Sequence, residues 1–222
     1  MLKSKDFLNK KISGKLYLSG GGDIQQTYDA DKRIFSGINS ILYIPLAYEG
    51  DLDDCIAFFE ELLLLYDIPS YKVLKDLEKE VDLSNYDMVY IGGGNTFRLL
   101  KKIKNSSLFN KISDYIKNGG KVYGGSAGAI IFGKTIKTAS LGKYADKNNV
   151  SLSDLEGYGL IDYDVCCHYD EDDSNNYEIK QYVNDNKMSV LALSEECVVC
   201  VDNLGIEKVG NLGCLKFFEK GL

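Results

Sequence analysis

A serine flanked by glycines follows a short apolar segment near the middle of the chain. Ser126 lies in the sequence Gly124-Gly-Ser-Ala-Gly128, directly after the strand-like residues 121–123. A serine on a tight turn between a strand and a helix is typical of a nucleophile elbow. Gly124 and Gly128 suit such a turn, because the nucleophile adopts strained backbone angles and the strand and helix cross closely. The alternative is a serine that only caps the following helix.

The chain contains a single histidine, His168. A serine hydroxyl is a poor nucleophile until a base removes its proton, so His168 is the one imidazole that could activate Ser126. His168 follows the apolar residues 165–167, which predicts a position at the end of a strand. The alternative is a hydrogen-bonded histidine near the core with no role in catalysis.

An imidazole that acts as a base usually has a carboxylate partner, which fixes its tautomer and stabilises its protonated form. Glu195 and Glu196 directly follow the apolar residues 190–193 and therefore occupy the end of another candidate strand. Asp146 is the other candidate. Spacing alone does not choose among these carboxylates.

A glycine-rich segment follows a further candidate strand. Residues 90–97 read Tyr-Ile-Gly-Gly-Gly-Asn-Thr-Phe, and three glycines leave backbone N–H groups open to a ligand. Asn95 or Thr96 can cap the helix that follows. In a hydrolase this loop would supply one oxyanion donor, and the N–H of Ala127 would supply the other. A tight turn without a ligand, or a phosphate loop, is the alternative.

The composition is that of an ordinary globular domain. The 222 residues are 45% hydrophobic and 27% charged, and residues 1–222 are long enough for a single α/β domain. A net charge of −7 without a basic cluster argues against a nucleic-acid partner. No apolar run is long enough to predict a membrane span, and residues 1–15 lack the features of a secretion signal. We therefore expect a cytoplasmic protein.

The six cysteines do not form the pattern of a disulfide framework. Most of them lie in apolar segments and are expected to be buried thiols. Cys197 and Cys200 have the CxxC spacing, but the chain has no second CxxC and only one histidine. Because a structural zinc site needs four clustered ligands, we expect no metal and no cofactor.

Strand-like and helix-like segments alternate along the chain, which predicts a parallel sheet covered by helices. The predicted strands of this part are residues 16–18, 41–45, 88–91 and 122–123, and the predicted helices are residues 51–66 and 108–118. Gly119 and Gly120 are expected to end the second helix. The sequence thus indicates an α/β fold, a three-layer sandwich with a mostly parallel central sheet.

The part of the chain after His168 is predicted to be a helix followed by short strands. The helix covers residues 176–186, and the strands are residues 190–193, 198–201 and 215–218. Asp202-Asn203 and Gly210-Asn211 provide turn residues, so we expect hairpins at both positions.

Three segments taken together resemble the peptidase E family, the aspartyl dipeptidases related to cyanophycinase. They are residues 91–97, 124–129 and 168–170, and they occur in the family's order and spacing. The resemblance extends from residues 18–22 to residues 193–196. It implies a cytoplasmic serine exopeptidase without metal or cofactor, with a glutaminase-like, flavodoxin-like fold, that cleaves dipeptides carrying an N-terminal aspartate.

The resemblance also implies roles for individual residues. By motif, Ser126 corresponds to the nucleophile, His168 to the base, and Gly93 and Ala127 to the oxyanion donors. The family's acid matches Leu193-Ser-Glu195, which favours Glu195, whereas an aspartate after the elbow would correspond to Asp146. We expect the substrate to contact the three residues Gly94, Asn95 and Asp170.

The sequence departs from the family pattern in one respect. The resemblance predicts an arginine downstream of His168 that holds the substrate's aspartate carboxylate, and residues 170–180 contain none. Lys180 could replace it as a point charge. The acidic residues 170–173 could bind a peptide's N-terminal ammonium or could form a solvated loop.

Three functions remain open on the sequence alone. The first is a serine peptidase for dipeptides or short peptides. The second is a non-catalytic protein that binds small peptides or metabolites, and the third is a hydrolase of another amide or ester bond. The expected partner is a small peptide, and the expected assembly is a monomer or a homodimer.

Overall fold

A seven-stranded sheet forms the centre of the computed structural model, which describes residues 12–77 and 80–221. The ten strands along the described chain are β1 (Lys15–Ser19), β2 (Ser40–Ile44), β3 (Ser70–Val73), β4 (Met88–Ile91), β5 (Lys121–Gly125), β6 (Asp164–Cys166), β7 (Val190–Leu193), β8 (Val198–Asp202), β9 (Gly205–Val209) and β10 (Leu215–Phe218). The central sheet has the order β3-β2-β4-β5-β1-β8-β9. Its first five strands run parallel, and β8 and β9 complete it as an antiparallel hairpin.

A second, smaller sheet has the order β10-β7-β6, with β6 parallel to β7 and β10 antiparallel to β7. This sheet carries the segments that lead to His168 and Glu195, whereas Ser126 follows β5 of the central sheet. The carboxyl ends of strands from two sheets therefore supply the candidate residues. This is the sheet edge at which α/β proteins place their ligands.

Helices cover both faces of the central sheet. The helices on the central sheet are α1 (Tyr28–Ile34), α2 (Leu52–Leu65), α3 (Thr96–Lys104), α4 (Leu108–Lys117) and α5 (Ala127–Ile130), whereas α6 (Asp173–Asn186) packs against the small sheet. Short 3₁₀ turns lie at Leu83–Asn85 and Lys137–Ser140. Side-chain caps begin several of the helices. Asp51 accepts a hydrogen bond from the N–H of Asp53 at α2, and Asp172 accepts one from Asn175 at α6. These contacts satisfy donors that the first helical turn leaves unpaired.

The core consists of three buried clusters, one on each face of the central sheet and a third between α6 and the small sheet. On one face, Leu99 of α3 and Ile112 of α4 pack with strand residues and with Leu191 of the small sheet. On the other face, Ile34 of α1 and Phe59 of α2 pack against the sheet. Helices, sheet and helices form three layers, which confirms the predicted fold class.

The predicted central strands and helices agree with the structure to within a few residues, and Gly119, with φ +97, ends α4 as expected. β3 was not predicted, because it is a mostly exposed edge strand without a buried apolar run. The hairpin at Asp202-Asn203 is present between β8 and β9. Among the described residues, no helix combines the length and the apolar character needed to cross a membrane.

The hairpin predicted at Gly210-Asn211 is wrong. β9 pairs with β8, whereas β10 pairs with β7 in the small sheet, so these residues connect two sheets. The N–H of Asn211 donates to the carboxylate of Asp29, 3.0 Å away, and this contact holds the connection against α1. Turn residues indicate a change of direction, but the strand partner depends on contacts distant in sequence.

Candidate active site

Ser126 occupies a strained turn between β5 and α5. Its backbone angles are φ 48 and ψ −110, a combination that side-chain-bearing residues rarely adopt. A β-carbon at Gly124 would lie 2.2 Å from the carbonyl oxygen of Gly128, and one at Gly128 would lie 2.3 Å from that of Ile91. The strand and helix therefore cross too closely for side chains at either glycine. This geometry is that of a nucleophile elbow.

His168 follows β6 and also has a positive φ of 53. Its backbone N–H donates to the carbonyl of Gly20, 2.9 Å away. The imidazole lies against Gly21, where a β-carbon would come within 2.4 Å of Cε1. His168 Nε2 lies 2.9 Å from Ser126 Oγ, within hydrogen-bond distance.

Glu195 follows β7 and contacts the other ring nitrogen of His168. Its Oε1 lies 3.0 Å from His168 Nδ1, and its backbone carbonyl accepts from the N–H of Gly22. Hydrogen bonds from His168 and then from Gln26 lower the pKa of the Glu195 carboxyl. An ionised carboxylate can only accept, so Nδ1 carries the hydrogen. In the neutral ring, Nε2 is then the acceptor for the hydroxyl of Ser126.

Asp146 is hydrogen-bonded to the N-terminus of α3. Its Oδ2 accepts a hydrogen bond of 2.8 Å from the N–H of Thr96, the first residue of α3. Burial raises the pKa of Asp146, and the contact with Thr96 partly offsets that effect. Of the three acids that the sequence leaves open, Glu195 contacts His168 Nδ1, Asp146 lies at the N-terminus of α3, and Glu196 accepts a hydrogen bond from the hydroxyl of Ser194.

The glycine-rich segment approaches Ser126 with its backbone. A β-carbon at Gly93 would lie 3.3 Å from Cβ of Ser126, so glycine permits close contact there. The N–H of Gly92 donates to the carbonyl of Ile44 at the end of β2, and the N–H of Asn95 donates to that of Ala47 in the loop after β2, which holds the segment on both sides of Gly93. Within the described part of the chain, the N–H groups of Gly93 and Ala127 have no acceptor. They are therefore available to a ligand at Ser126.

The three residues expected to contact substrate differ in their surroundings. Gly94 lines the cavity beside Ser126. Asn95 also lines it, but its side chain is engaged, since Oδ1 accepts from the N–H of Arg98 and Nδ2 donates to the carbonyl of Lys147. Asp170 is exposed and lies outside the set of residues that line the cavity.

The cavity has a volume of about 540 Å³ and is bordered by Ser126, His168 and Glu195. Sequence reasoning missed one of its walls, which contains Lys143 and Tyr144. The Tyr144 ring lies 5.1 Å from the His168 ring, and Lys143 Nζ lies 5.0 Å from the centroid of the Tyr144 ring. No motif marks these two residues in the sequence.

Lys143 is the one lysine or arginine among the described residues that line the cavity. Its ammonium group lies within 4 Å of no carboxylate in the described ranges, 12–77 and 80–221. Lys180, the residue that the sequence suggested as a substitute for arginine, is exposed on α6 and does not line the cavity. The positively charged side chain of the cavity is therefore Lys143, in the loop after the 3₁₀ turn Lys137–Ser140, and not Lys180 on α6.

The cysteines are all free thiols, and Cys166 and Cys167 line the cavity beside His168. Cys197 is buried, and burial raises its pKa to about 12, so it is a protonated core thiol at neutral pH. Within the residues that the structure describes, no three His, Cys, Asp or Glu side chains are grouped so that they could hold a metal ion.

Comparison with solved structures shows the same fold in two other proteins. A candidate peptidase E from Listeria monocytogenes EGD-e superposes with a TM-score of 0.68 at 20% identity, covering 90% of this chain and 99% of that one. A peptidase from an acI-B1 actinobacterium superposes with a TM-score of 0.64 at 17% identity, covering 96% and 97%. At these identities the likeness concerns the fold alone.

Sequence comparison identifies the family. Peptidase E from Escherichia coli O6:K15:H31 and peptidase E from Shigella sonnei Ss046 are each 29% identical over 126 residues, 56% of this chain. The matched region is 52% of each relative, so the match spans about half the length of these curated relatives. The sequence model of peptidase family S51 matches residues 16–209, which include Ser126, His168 and Glu195. The chain belongs to peptidase family S51.

Proposed function

We propose that this chain is a serine peptidase that hydrolyses dipeptides or short peptides. One observation carries the proposal: Ser126, His168 and Glu195 form a continuous hydrogen-bonded series, with distances of 2.9 Å and 3.0 Å. Membership of family S51 supports a peptidase. The cavity beside Ser126 is of the size that small ligands occupy, which supports a small substrate.

In the proposed acylation step, Ser126 Oγ attacks the scissile carbonyl while His168 Nε2 takes its proton. Glu195 stabilises the protonated imidazole through the contact at Nδ1. The N–H groups of Gly93 and Ala127 stabilise the negative charge that develops on the carbonyl oxygen. His168 then donates its proton to the leaving amine, and the acyl group remains on Ser126.

In the proposed deacylation step, a water molecule occupies the place of the leaving amine. His168 Nε2 takes a proton from this water as it attacks the acyl carbon. The same N–H groups hold the second oxyanion. Collapse of this intermediate returns the proton to Ser126 Oγ and releases the acid product, so the protein ends in its starting state.

For specificity we retain dipeptides with an N-terminal aspartate as the first candidates, with Lys143 as the cation. Lys143 lines the cavity and has no carboxylate partner among the described residues. An acidic substrate side chain would therefore meet an ammonium group that interacts with Tyr144 but has no carboxylate within 4 Å among the described residues. A lysine lacks the planar fork of an arginine, so we expect weaker discrimination than a bidentate contact would give.

The test is hydrolysis of a dipeptide library that covers all N-terminal residues, together with amide and ester substrates. Ser126→Ala and His168→Ala are expected to lose activity, and a fluorophosphonate probe is expected to label the wild type at Ser126. Unchanged hydrolysis by Ser126→Ala would overturn the proposal. Cleavage of esters or other amides alone would indicate a different hydrolase. Absence of both turnover and labelling would favour a protein that only binds peptides or metabolites.

Two further variants separate the candidate acids. Glu195→Gln is expected to lower kcat far more than it changes KM, because a neutral amide does not stabilise the protonated imidazole. Asp146→Asn leaves His168 with Glu195 as its partner. If the imidazole N–H signal in the proton NMR spectrum were lost in Asp146→Asn but not in Glu195→Gln, Asp146 and not Glu195 would be the acid that supports His168.

A further inference from the structure

The carboxylate of Glu195 has a second side-chain partner besides His168. Gln26 Nε2 donates to Glu195 Oε2 at 3.1 Å, while Oε1 faces His168 Nδ1 at 3.0 Å. The contact joins residues far apart in sequence and is partly buried. Each oxygen of the Glu195 carboxylate therefore has its own donor, and this arrangement restricts rotation of the carboxylate.

The orientation of the Gln26 amide is itself fixed. Its Oε1 accepts a hydrogen bond of 2.9 Å from the N–H of Asp23, and its own backbone N–H donates to Asp23 Oδ1 at 2.9 Å. Because a backbone N–H can only donate, the amide oxygen must face Asp23. The NH₂ group is then left to face Glu195.

The segment between β1 and α1 holds Glu195 at two points. Besides the contact from Gln26, the N–H of Gly22 donates to the carbonyl oxygen of Glu195 at 3.0 Å. A β-carbon at Gly22 would lie 2.5 Å from the same carbonyl oxygen, so the two backbones are closely packed. Backbone and side chain of Glu195 are thus both attached to one short segment.

We propose that Gln26 is a positioning residue, whose amide donor holds Glu195 in the orientation that supports His168. The inference rests on the proposed function, since it assumes that Glu195 assists His168 during catalysis. Gln26 is too far along the hydrogen-bonded series to touch Ser126 and acts only through Glu195. Loss of its donor leaves Oε2 free and allows the carboxylate to turn away from Nδ1.

The decisive variant is Gln26→Glu. It is nearly the same size and keeps an oxygen for the N–H of Asp23, so the local turn is retained. It replaces the donor with a second carboxylate beside Glu195, and two carboxylates in contact do not both ionise readily. The matched control is Gln25→Glu, which makes the same charge change at an exposed neighbour whose side chain has no polar contact among the described residues.

We expect Gln26→Glu to lower kcat about tenfold or more with KM changed less than twofold, because one charge-assisted hydrogen bond is worth at least that factor. The acid limb of the profile of kcat/KM against pH is expected to move to higher pH. Gln26→Met removes the amide without adding charge. It is expected to lower kcat but to leave the acid limb of the pH profile where it is in the wild type. A residue needed only for folding would change the melting temperature and leave the pH profile in place.

A second readout does not depend on activity. His168 is the only histidine in the sequence. The proton NMR spectrum of the wild type is therefore expected to show a single downfield signal from a hydrogen-bonded imidazole N–H. That signal is expected to shift or broaden in Gln26→Glu and to persist in Gln25→Glu. An unchanged signal and a kcat within twofold of the control in Gln26→Glu would overturn the inference.

The two readouts separate this inference from the proposed function. If the wild type hydrolyses peptides and Gln26→Glu does so equally well, the positioning role fails and the peptidase stands. If the wild type neither hydrolyses peptides nor reacts with the probe, the proposed function fails. The imidazole signal of Gln26→Glu then still decides whether Gln26 orients Glu195 toward His168.

Discussion

The imidazole of His168 packs against Gly21, a position at which any side chain would displace the ring. Gly21 has φ +106, and a β-carbon there would lie 2.4 Å from Cε1 and 2.7 Å from Nε2 of His168. The contact sets the distance between the imidazole and the end of β1, and through it the approach of Nε2 to Ser126.

Gly21→Ala is therefore expected to lower kcat about a hundredfold or more, since a displacement near 1 Å is enough for such a loss. The control is Gly37→Ala, because Gly37 has φ +76 but no atom within 4 Å of the added carbon. Both variants are expected to lose about 1 kcal/mol of stability through backbone strain. Steady-state kinetics and urea unfolding measure the two effects. Equal kcat in the two variants would show that the ring tolerates the added carbon.

Ser126→Gly is expected to unfold at higher urea concentration than Ser126→Ala. Both variants lack the hydroxyl, so they differ only in the β-carbon at φ 48 and ψ −110. Glycine adopts these angles with little strain, although the greater entropy of its unfolded chain offsets part of the gain. We expect a net difference of about 1 kcal/mol. If Ser126→Ala were the more stable of the two, the turn would not be strained.

Lys143→Met is expected to lower kcat/KM about tenfold for dipeptides with an acidic first residue, and much less for those with a neutral one. The physical reason is the loss of the one lysine that lines the described cavity. Lys180→Met, which changes an exposed residue of α6, serves as the control and is expected to match the wild type. A uniform loss over all first residues would show that Lys143 supports the cavity wall and does not select the substrate.

Asp31 predicts a dependence of stability on pH. This buried carboxyl contacts the hydroxyls of Thr27 at 2.6 Å and Tyr123 at 2.9 Å, and burial raises its pKa to about 6 from an ordinary 3.8. A raised pKa in the folded state means that stability is lost as pH rises from about 4 through 6. The difference corresponds to about 3 kcal/mol.

Asp31→Asn removes this titration. Relative to the wild type, the variant is expected to gain up to about 3 kcal/mol in its free energy of unfolding between pH 4 and pH 7. Urea unfolding at several pH values measures the gain, and Asp54→Asn, at an exposed site on α2, is the control. If the free energy of unfolding changed with pH in the same way for the wild type and Asp31→Asn, the pKa of the Asp31 carboxyl would not be raised in the folded state.

The sequence was most informative where a residue type is required by local geometry. The glycines around Ser126 and the single histidine identified the strand ends that the structure brings together. Glu195 was favoured by a motif, whereas its contact with His168 depends on the pairing of β6 with β7. Residues whose positions follow from strand ends were thus predictable from the sequence.

The walls of the cavity were not predictable in this way. The loop that carries Lys143 is held by the N–H of Gly142, which donates to Glu178 on α6, and by the carbonyl of Lys147, which accepts from Asn95. Both contacts join segments that are distant in the sequence. Local patterns cannot indicate such contacts, which is also why the partner of β10 was missed.

Ser126 belongs to the central sheet, whereas His168 and Glu195 follow strands of the small sheet. The hydrogen bond between Ser126 and His168 therefore connects residues that follow strands of two different sheets. Gly20 lies between the two sheets, where its carbonyl accepts a hydrogen bond from the N–H of His168 and its N–H donates to the carbonyl of Cys197. The peptidase activity proposed for this chain would therefore depend on how the two sheets pack against each other. A small shift between them would abolish that activity while each sheet, and most of the secondary structure, remained intact.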